Sequence, residues 1–434
     1  MKACMRGEEK VKKIIKEEEI KWVQLHITDL MGGLRILHLS SDEFLTRVMR
    51  NGCNFDGSSL GFVGVEKSDL IALPDMKTFL KLPHENDEAR VIANVYDANL
   101  KPFHACPRQI LLKAVNKLKR QGFTHIKVSP EMEFYVINEV NENYTDKNRY
   151  FAPPPVDESK DYRKRLSAAL IESGYHVKYH HHEVGQTQHE IEIKGLDAIE
   201  AADFCMYFKY LSKEIAQLYD LLVTFMPKPF SDDAGNGMHM HIKLYKGNKN
   251  IFYDEDDDYR LSQIARYFIG GILEHARGIA AIANPTINSY KRFVPGFEAP
   301  CYITWGRYNR SGLIRIPAKK DTDIEVRGAD PAANPYLLYA AVIYAGIDGI
   351  KKKIEYEPLE KNVYLMDERE VKKRKIRKLP STLQEAIEEL LNDEVLVSSL
   401  GKTVIEMFVE KKKKEIERYH REVTDLDYEL YFDC

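Results

Sequence analysis

The 434-residue sequence predicts an α+β fold with a mostly antiparallel sheet, divided between a small N-terminal domain and a larger second domain. The strand candidates alternate polar and apolar residues, whereas the strands of a parallel sheet usually run apolar throughout. Long segments with helical periodicity lie among them, and this mixture is typical of the α+β class. Because the pattern changes from strands to a helix near residue 105, we predict domains over residues 1–105 and 106–434.

The N-terminal domain is predicted to begin with a short charged helix, KVKKIIKEEE. Two strands, IKWVQLHITDL and LRILHLS, lie on either side of a turn at Met31-Gly32-Gly33, where the glycines favour a reversal of the chain. VIANVYDANL is a further strand candidate before the predicted boundary.

The larger domain starts with a predicted helix, FHACPRQILLKAVNKLKRQG, in which Pro107 lies near the first turn and Gly122 just past the end. The strand candidates that follow are HIKVSPEMEFYVI, HEIEIK, GMHMHIKLY and DIEVR. Long helices are predicted at DYRKRLSAALIESG, AADFCMYFKYLSKEIAQLYDLL and LSQIARYFIGGILEHARGIAAIA. The charged segment DEREVKKRKIRKLP is predicted to be an exposed loop before a helical C-terminus.

Composition and charge are those of a soluble globular protein, since 44% of the residues are hydrophobic and 30% are charged. A formal net charge of −3 gives no reason to expect a nucleic-acid or membrane partner. The cysteines lie far apart without a C-x-x-C pair, which argues against a disulfide framework or a cysteine zinc site. No apolar run reaches the roughly 18 residues of a membrane span and no secretory signal is recognisable, so we predict a cytoplasmic protein.

Four strand candidates each place two polar side chains on one face, because alternate residues of a strand point the same way. They are Glu131 with Glu133, Glu190 with Glu192, His239 with His241, and Glu325 with Arg327. Any one pair is typical of a solvent-exposed strand face, but four in one domain are harder to explain in that way. If they converge, they form a site rich in carboxylates that suits Mg²⁺ or Mn²⁺ and indicates phosphoryl transfer.

Arginines are the second candidate group, because the guanidinium holds carboxylates and phosphates by two-point contacts. Arg292 and Arg310 lie in stretches rich in Gly, Pro and Asn, where loops direct side chains toward ligands. Known nucleotide-binding loops are missing, since the GKT at 401–403 lacks the earlier P-loop glycine and the GNG at 235–237 lacks a third glycine. An ATP site must therefore be of another kind.

Several long motifs resemble those of the glutamine synthetase family, type I of bacteria and archaea. They are NFDGSSLGF, EKSDLIALPD, TFMPKPFSDDAGNGMHMH, NPTINSYKRFVPGFEAPCYITW, NRSGLIRIP and EVRGADPAANPYLLYAA. The resemblance covers essentially the whole chain. It implies a β-grasp-like N-terminal domain and a catalytic domain with a curved antiparallel sheet flanked by helices.

The resemblance also implies a role for each matching residue. One metal ion would be bound by Glu131, Glu183 and Glu190, and the other by Glu133, His239 and Glu325. Glutamate would be held by Gly235, Arg292 and Arg327. The nucleotide and the transferred phosphate would be held by His241, Lys243, Arg310, Arg315 and Lys320. The ammonium pocket would be formed by Asp56, Ser59, Tyr150 and Glu298, with Asp56, Glu298 and Arg310 as catalytic residues.

The implied reaction is ATP-dependent ligation of ammonia to glutamate through γ-glutamyl phosphate, with two or more Mg²⁺ or Mn²⁺ ions. Asp56 would reach a neighbouring subunit's active site, which implies a homo-oligomer, expected to be a dodecamer of two stacked hexameric rings. Two alternatives stay open: a ligase for an organic amine such as a polyamine or ethanolamine, and a catalytically weak regulatory homologue. Retention of Asp56 and Tyr150 favours ammonia, and retention of all six metal-ligand candidates favours an active enzyme.

The sequence departs from the family pattern at Ala234, Lys243 and Asp323. Asp323 stands where the family has an arginine near the nucleotide phosphates. We therefore predict that Lys243 and Asp323 form a compensating pair on neighbouring strands. Tyr364 lies in a segment that resembles the adenylylated loop of some relatives, although an ordinary loop tyrosine is the favoured interpretation.

Overall fold

The computed structural model of the chain describes residues 2–138, 146–147, 149–294, 299–319 and 321–434. Within these ranges the chain forms a six-stranded sheet near the N-terminus and a ten-stranded sheet in the remainder. Helices pack against both sheets, and most neighbouring strands run antiparallel. The predicted α+β class is therefore confirmed.

The N-terminal sheet is built around two parallel neighbours. Its strands are β1 (Trp22–Thr28), β2 (Leu34–Ser40), β3 (Cys53–Asp56), β4 (Asp69–Pro74), β5 (Leu80–Lys81) and β6 (Glu88–Asp97). The accompanying helices are α1 (Lys2–Glu17), α2 (Ser41–Glu43) and α3 (Met49–Asn51). The strand order is β2-β1-β6-β4-β3, with β5 beside β6, and only β1 and β6 run parallel among these pairs.

The larger sheet has the order β14-β15-β16-β12-β7-β9-β8, with β10 and β11 beside β7 and β13 beside β12. Its strands are β7 (His125–Asn138), β8 (Val177–His182), β9 (Gln188–Ile193), β10 (Leu196–Asp197), β11 (Leu221–Thr224), β12 (Met238–Lys246), β13 (Lys249–Asn250), β14 (Tyr302–Arg307), β15 (Gly312–Ile316) and β16 (Ile324–Val326). The helices are α4 (Pro107–Arg120), α5 (Lys160–Glu172), α6 (Ala198–Gln217), α7 (Gln263–Glu274), α8 (Ala276–Ala283), α9 (Pro335–Lys352), α10 (Glu368–Lys373), α11 (Leu383–Asn392), α12 (Glu394–Leu400), α13 (Lys402–Arg421) and α14 (Asp425–Tyr431).

Three predicted segments differ from the structure. The single long helix predicted over residues 261–283 is divided into α7 and α8 at His275, whose ring is held by carboxylates of later helices. The end of the predicted helix over residues 201–222 becomes β11, because the chain turns and pairs with β7. The segment predicted as a loop over residues 367–380 contains α10, which starts where the Asp367 side chain accepts a hydrogen bond from the backbone N–H of Glu370.

The central strand β7 separates the hydrophobic core from a polar face. Its period of two sends Met132 and Phe134 to the core side, where Phe134 packs edge-on against Phe208 of α6. Glu131 and Glu133 consequently lie on the opposite face. Within the described residues, helix length and hydropathy nowhere combine to give a segment able to span a membrane.

Candidate active site

The strand register brings the predicted polar pairs together on one face of the larger sheet. Across the β7–β12 pair, Glu131 lies opposite His239. Across the β7–β9 pair, Glu133 lies opposite Glu190. Residues that are directly opposite in a ladder have their side chains in contact range, so the register itself divides the acidic residues into two groups.

The first group consists of Glu131, His239 and Glu325. His239 Nδ1 lies 3.2 Å from Glu131 Oε2 and 3.6 Å from Glu325 Oε1, whereas its Nε2 is 3.9 Å from Glu133 Oε1. Glu131 was predicted to lie with Glu183 and Glu190, and Glu133 with His239 and Glu325. In the structure, Glu131 and Glu133 occupy the opposite groups. The reason is the register, since β12 places His239 beside Glu131 rather than beside Glu133.

The second group consists of Glu133, Glu183 and Glu190, together with His181. His181 Nε2 lies 3.3 Å from Glu190 Oε1, and its Nδ1 lies 3.8 Å from Glu183 Oε1. Burial and then repulsion from Glu133 and Glu190 raise the pKa of Glu183 to about 8. Burial and then repulsion from Glu131 and Glu133 also raise the pKa of Glu190 well above its usual value.

Two residues of this group were not predicted. His181 was not among the predicted metal ligands, and the β8–β9 register places it opposite Glu190. Gln188 was overlooked, although its side-chain amide donates to Glu133 Oε2 at 3.2 Å and to the carbonyl oxygen of Gly235 at 3.1 Å. The run of three histidines was a visible signal for His181, whereas nothing in the local sequence distinguished Gln188.

Both groups face a cavity of about 660 Å³. It is also lined by five residues predicted to bind substrate or phosphate, namely Tyr150, Gly235, Arg292, Arg310 and Arg327. Glu325 is fully buried next to this cavity. The volume is in the usual range for sites that hold small ligands.

The arginines occupy distinct positions around the cavity. Arg292 is buried, its Nη2 donates to the carbonyl oxygen of Ala329 at 3.3 Å, and its Nε has no partner among the described residues. Nη1 of Arg327 donates to the carbonyl oxygen of Arg310 at 3.3 Å. Arg315 does not line the cavity and instead forms an ion pair with Glu325.

Gly235 is required by the close approach of Arg292. A Cβ at this position would lie 2.6 Å from Arg292 Cγ and 2.8 Å from the carbonyl oxygen of Pro227, and both distances are below van der Waals contact. A side chain here would therefore displace the arginine that lines the cavity.

The predicted pair of Lys243 and Asp323 is wrong. Lys243 pairs with the more exposed Asp321, whereas Asp323 is buried and accepts from Lys319 Nζ at 3.0 Å. Asp323 Oδ1 also lies 3.2 Å from His241 Nδ1. The Asp323 carboxylate is thus already enclosed by two other groups, and the long Lys243 side chain reaches outward instead.

The residues predicted for the ammonium pocket do not assemble within one chain. Tyr150 lines the cavity, but Asp56, the exposed last residue of β3, and Ser59 in the turn that follows are not part of its lining. Asp56 Oδ1 accepts from the backbone N–H of Ser58 at 2.9 Å and from its hydroxyl at 2.6 Å. Hydrogen bonds from Ser58 and then Ser59 lower the pKa of Asp56 to about 2. Glu298 and Lys320 lie outside the described residues.

The donor set fits hard divalent cations. Buried Glu325 places one carboxylate oxygen 3.6 Å from His239 Nδ1 while the other pairs with Arg315, and the second group crowds acidic side chains that raise one another's pKa. Carboxylates with an occasional imidazole are the ligands that Mg²⁺ and Mn²⁺ prefer. A cation bound to each group would offset this repulsion.

Comparisons with known proteins point to one family. The family model of the glutamine synthetase catalytic domain matches residues 104–431, and that of the glutamine synthetase beta-Grasp domain matches residues 19–98. Glutamine synthetase of Thermotoga maritima is 42% identical over 435 residues, covering 98% of this chain and 99% of that protein. Glutamine synthetase of Methanococcus voltae is 40% identical and covers 96% of this chain and 97% of that protein.

Two solved structures superpose closely on the chain. A complex of GmaS with ADP gives a TM-score of 0.90 at 29% identity, covering 97% of this chain and 99% of that chain. The cryo-EM structure of Plasmodium falciparum glutamine synthetase gives a TM-score of 0.87 at 28% identity, covering 98% of each chain. The predicted β-grasp-like domain and curved catalytic sheet are confirmed by these matches.

Proposed function

The chain belongs to the glutamine synthetase family, and on this premise we propose that it ligates ammonia to the γ-carboxylate of glutamate, converting ATP to ADP and phosphate. The observation that carries this proposal is the cavity lined by residues of both acidic groups and by Arg292, Arg310 and Arg327. Such a cavity can hold two anionic reactants close together, because the arginines, and cations held by the acidic groups, compensate negative charge.

Two groups of side chains are proposed to hold divalent cations. These are Glu131, His239 and Glu325 in one group, and Glu133, Glu183 and Glu190 in the other. When bound, Mg²⁺ or Mn²⁺ ions supply positive charge that makes the phosphates of ATP accessible to an anionic nucleophile. His181 and Gln188 are proposed to hold Glu190 and Glu133 in place.

Glutamate is proposed to lie against Arg292 and Arg327, whose guanidinium groups bind carboxylates. An oxygen of its γ-carboxylate attacks the γ-phosphorus of ATP, the bond from that phosphorus to the bridging oxygen breaks, and ADP leaves. Arg310 faces the cavity where the new γ-glutamyl phosphate carries its charge. Ammonia then attacks the acyl carbon, the carbon–oxygen bond breaks, and phosphate is released with glutamine. The ammonium ion that supplied the nitrogen loses two protons on the way to the amide, one of which is taken up by the released phosphate and the other by solvent.

Asp56 is proposed to attract that ammonium ion from a neighbouring subunit. Its low pKa keeps the carboxylate ionised at neutral pH, which makes it a strong counter-ion and a weak base. Because Asp56 and Ser59 lie outside the cavity of their own chain, a second copy is needed to complete the pocket around Tyr150. We propose that the copies form two stacked hexameric rings.

A ligase for an organic amine is the second candidate. Tyr150 and Phe151 stack at 4.0 Å, His181 lies edge-on to both rings, and together they give the cavity an aromatic wall against which an alkylamine could pack. Both aromatic side chains are more than 40% exposed within one chain, so the room available depends on the neighbouring subunit.

ADP release with glutamate and a panel of amines distinguishes these functions. We expect ammonium to give the highest kcat/KM, ahead of methylamine, ethanolamine and putrescine. Exchange of Asp56 for Asn should raise the KM for ammonium far more than the KM for ATP. A preference for a bulky amine would establish the second candidate, and no ADP release with Mg²⁺ or Mn²⁺ would indicate a regulatory homologue.

A further inference from the structure

Three buried side chains form a continuous row behind the first acidic group. Asp323 Oδ1 lies 3.2 Å from His241 Nδ1, and His241 Nε2 lies 2.6 Å from Glu131 Oε1. Asp323, His241 and Glu131 are each less than 10% exposed. The row runs from the residue before β16, across β12, to β7, and it therefore links three adjacent strands of the sheet.

The imidazole of His241 is fixed at both ends. Each of its ring nitrogens faces a carboxylate oxygen, so a rotation of the ring would break both contacts. The outer carboxylate is fixed in turn, because Lys319 Nζ lies 3.0 Å from Asp323 Oδ2 and 3.3 Å from His241 Nδ1. Lys319 is partly exposed, whereas the groups that it covers are not.

This arrangement gives the two oxygens of Glu131 different partners. Oε1 is occupied by His241, while Oε2 lies 3.2 Å from His239 Nδ1, another member of the first acidic group. Hydrogen bonds from outside a metal site orient its ligands, and losing one of them commonly weakens metal binding 10- to 100-fold. An arginine at position 323 would place a second cation beside Lys319. Because a guanidinium cannot accept a hydrogen bond from His241, it would displace the imidazole rather than hold it.

We propose that Asp323 is a positioning residue that orients Glu131 for metal binding through His241. The inference rests on the proposed function, because it assumes that the first acidic group holds a divalent cation. It gives a function to Asp323, which departs from the pattern of the family. It also gives Lys319 a part in holding the same row of side chains.

The test measures Mn²⁺ binding to full-length protein by electron paramagnetic resonance and calorimetry, without nucleotide or glutamate. We expect Asp323→Ala to weaken binding at one of the two sites about tenfold. Asp323→Asn should restore most of the affinity, because the amide oxygen can still accept from His241 Nδ1–H. Asp321→Asn is the matched control, since this nearby acid pairs with Lys243 outside the row and should leave Mn²⁺ binding unchanged.

Thermal unfolding separates orientation from a purely structural role, which would lower the melting temperature without changing the affinity. If Asp323→Ala does not fold, Lys319→Met serves as the second variant, because it releases the outer carboxylate from a partly exposed position. We expect it to weaken Mn²⁺ binding severalfold. Wild-type affinity in a folded Asp323→Ala or Lys319→Met protein overturns the inference. Lack of Mn²⁺ binding by the wild-type protein overturns the proposed function and the inference with it.

Discussion

A carboxylate oxygen of Asp330 lies 3.5 Å from Nη1 of Arg292, and both side chains are almost completely buried. Asp330 also accepts from the side-chain amide of Asn284 at 3.1 Å and from the backbone N–H of Ala332 at 2.9 Å. The acid is thus fixed by the fold, and it fixes the arginine that lines the cavity. A buried charge of this kind is tolerated because its partner is close.

The first prediction follows from this pair. Asp330→Asn should raise the KM for glutamate about tenfold, because Arg292 loses the charged partner that directs it and such contacts are worth about 1.5 kcal/mol or more. The KM for ATP should change much less, since Asp330 has no contact with the acidic groups among the described residues. Steady-state kinetics with glutamate and ATP varied in turn gives both KM values for the variant and the wild type. A KM for glutamate equal to that of the wild type would contradict a positioning role for Asp330.

The polar face of the site was predictable because it depends on strand alternation alone. Glu131 and Glu133 share a face in any strand that contains both, whichever strand lies beside it. The partition into two groups was not predictable in the same way, because it depends on which residues of β12 and β9 lie opposite them. Register is set by packing and turns across the whole sheet, and the local sequence did not specify that His239 faces Glu131.

The fold shows the same division between local and distant causes. The strands around Met31 were recognised because a turn separates two alternating segments. β3 and β5 were not identified because they are only 4 and 2 residues long, and β4 was missed although it has 6 residues and lies between β6 and β3. The break between α7 and α8 at His275 depends on Asp348 and Asp393, which lie more than 70 residues away in the sequence. Contacts of that kind leave no signal in the helical pattern.

The second prediction concerns Tyr364, whose hydroxyl supports the wall of the cavity. It donates to the carbonyl oxygen of Ala299 at 3.2 Å and accepts from the backbone N–H of Cys301 at 2.9 Å, and Ala299 lines the cavity. Tyr364→Phe should therefore lower kcat/KM for glutamate about fivefold, the loss expected for one neutral hydrogen bond, while the melting temperature changes little. Unchanged kinetics would mean that this contact does not position Ala299.

The third prediction is that the metal-free protein loses stability as the pH rises. Burial and repulsion from Glu133 and Glu190 raise the pKa of Glu183 to about 8 in the folded chain, compared with roughly 4.5 in the unfolded chain. The folded state therefore binds this proton more tightly, and the resulting stability is full below pH 4.5 and lost as the pH rises through 8. Melting temperatures of chelator-treated protein between pH 5 and 8.5 should fall more for the wild type than for Glu183→Gln.

Addition of Mg²⁺ or Mn²⁺ supplies the control for that experiment. A bound cation compensates the charge of Glu183, Glu133 and Glu190, so the wild-type melting temperature should rise most at high pH. If the melting temperatures of the wild type and of Glu183→Gln depend on pH in the same way, and the cation raises both equally, the second acidic group does not hold the cation.

The last prediction uses a titratable group that does not line the cavity. His275 joins three helical segments, since its Nδ1 lies 2.7 Å from Asp393 Oδ2 and its Nε2 lies 3.1 Å from Asp348 Oδ2, with Lys352 also paired to Asp348. Burial opposes a charge on the imidazole, but the contacts with Asp393 and then Asp348 outweigh the effect of burial and raise the pKa of His275.

Because the pKa of His275 in the folded chain exceeds the unfolded value of about 6.5, the stability it adds is full below about pH 6.5 and is lost as the pH rises through the folded pKa. The melting temperature of His275→Gln should therefore fall furthest below that of the wild type at pH 6 and approach it at pH 9. A difference that is constant or grows with pH would show that His275 is held as the neutral imidazole.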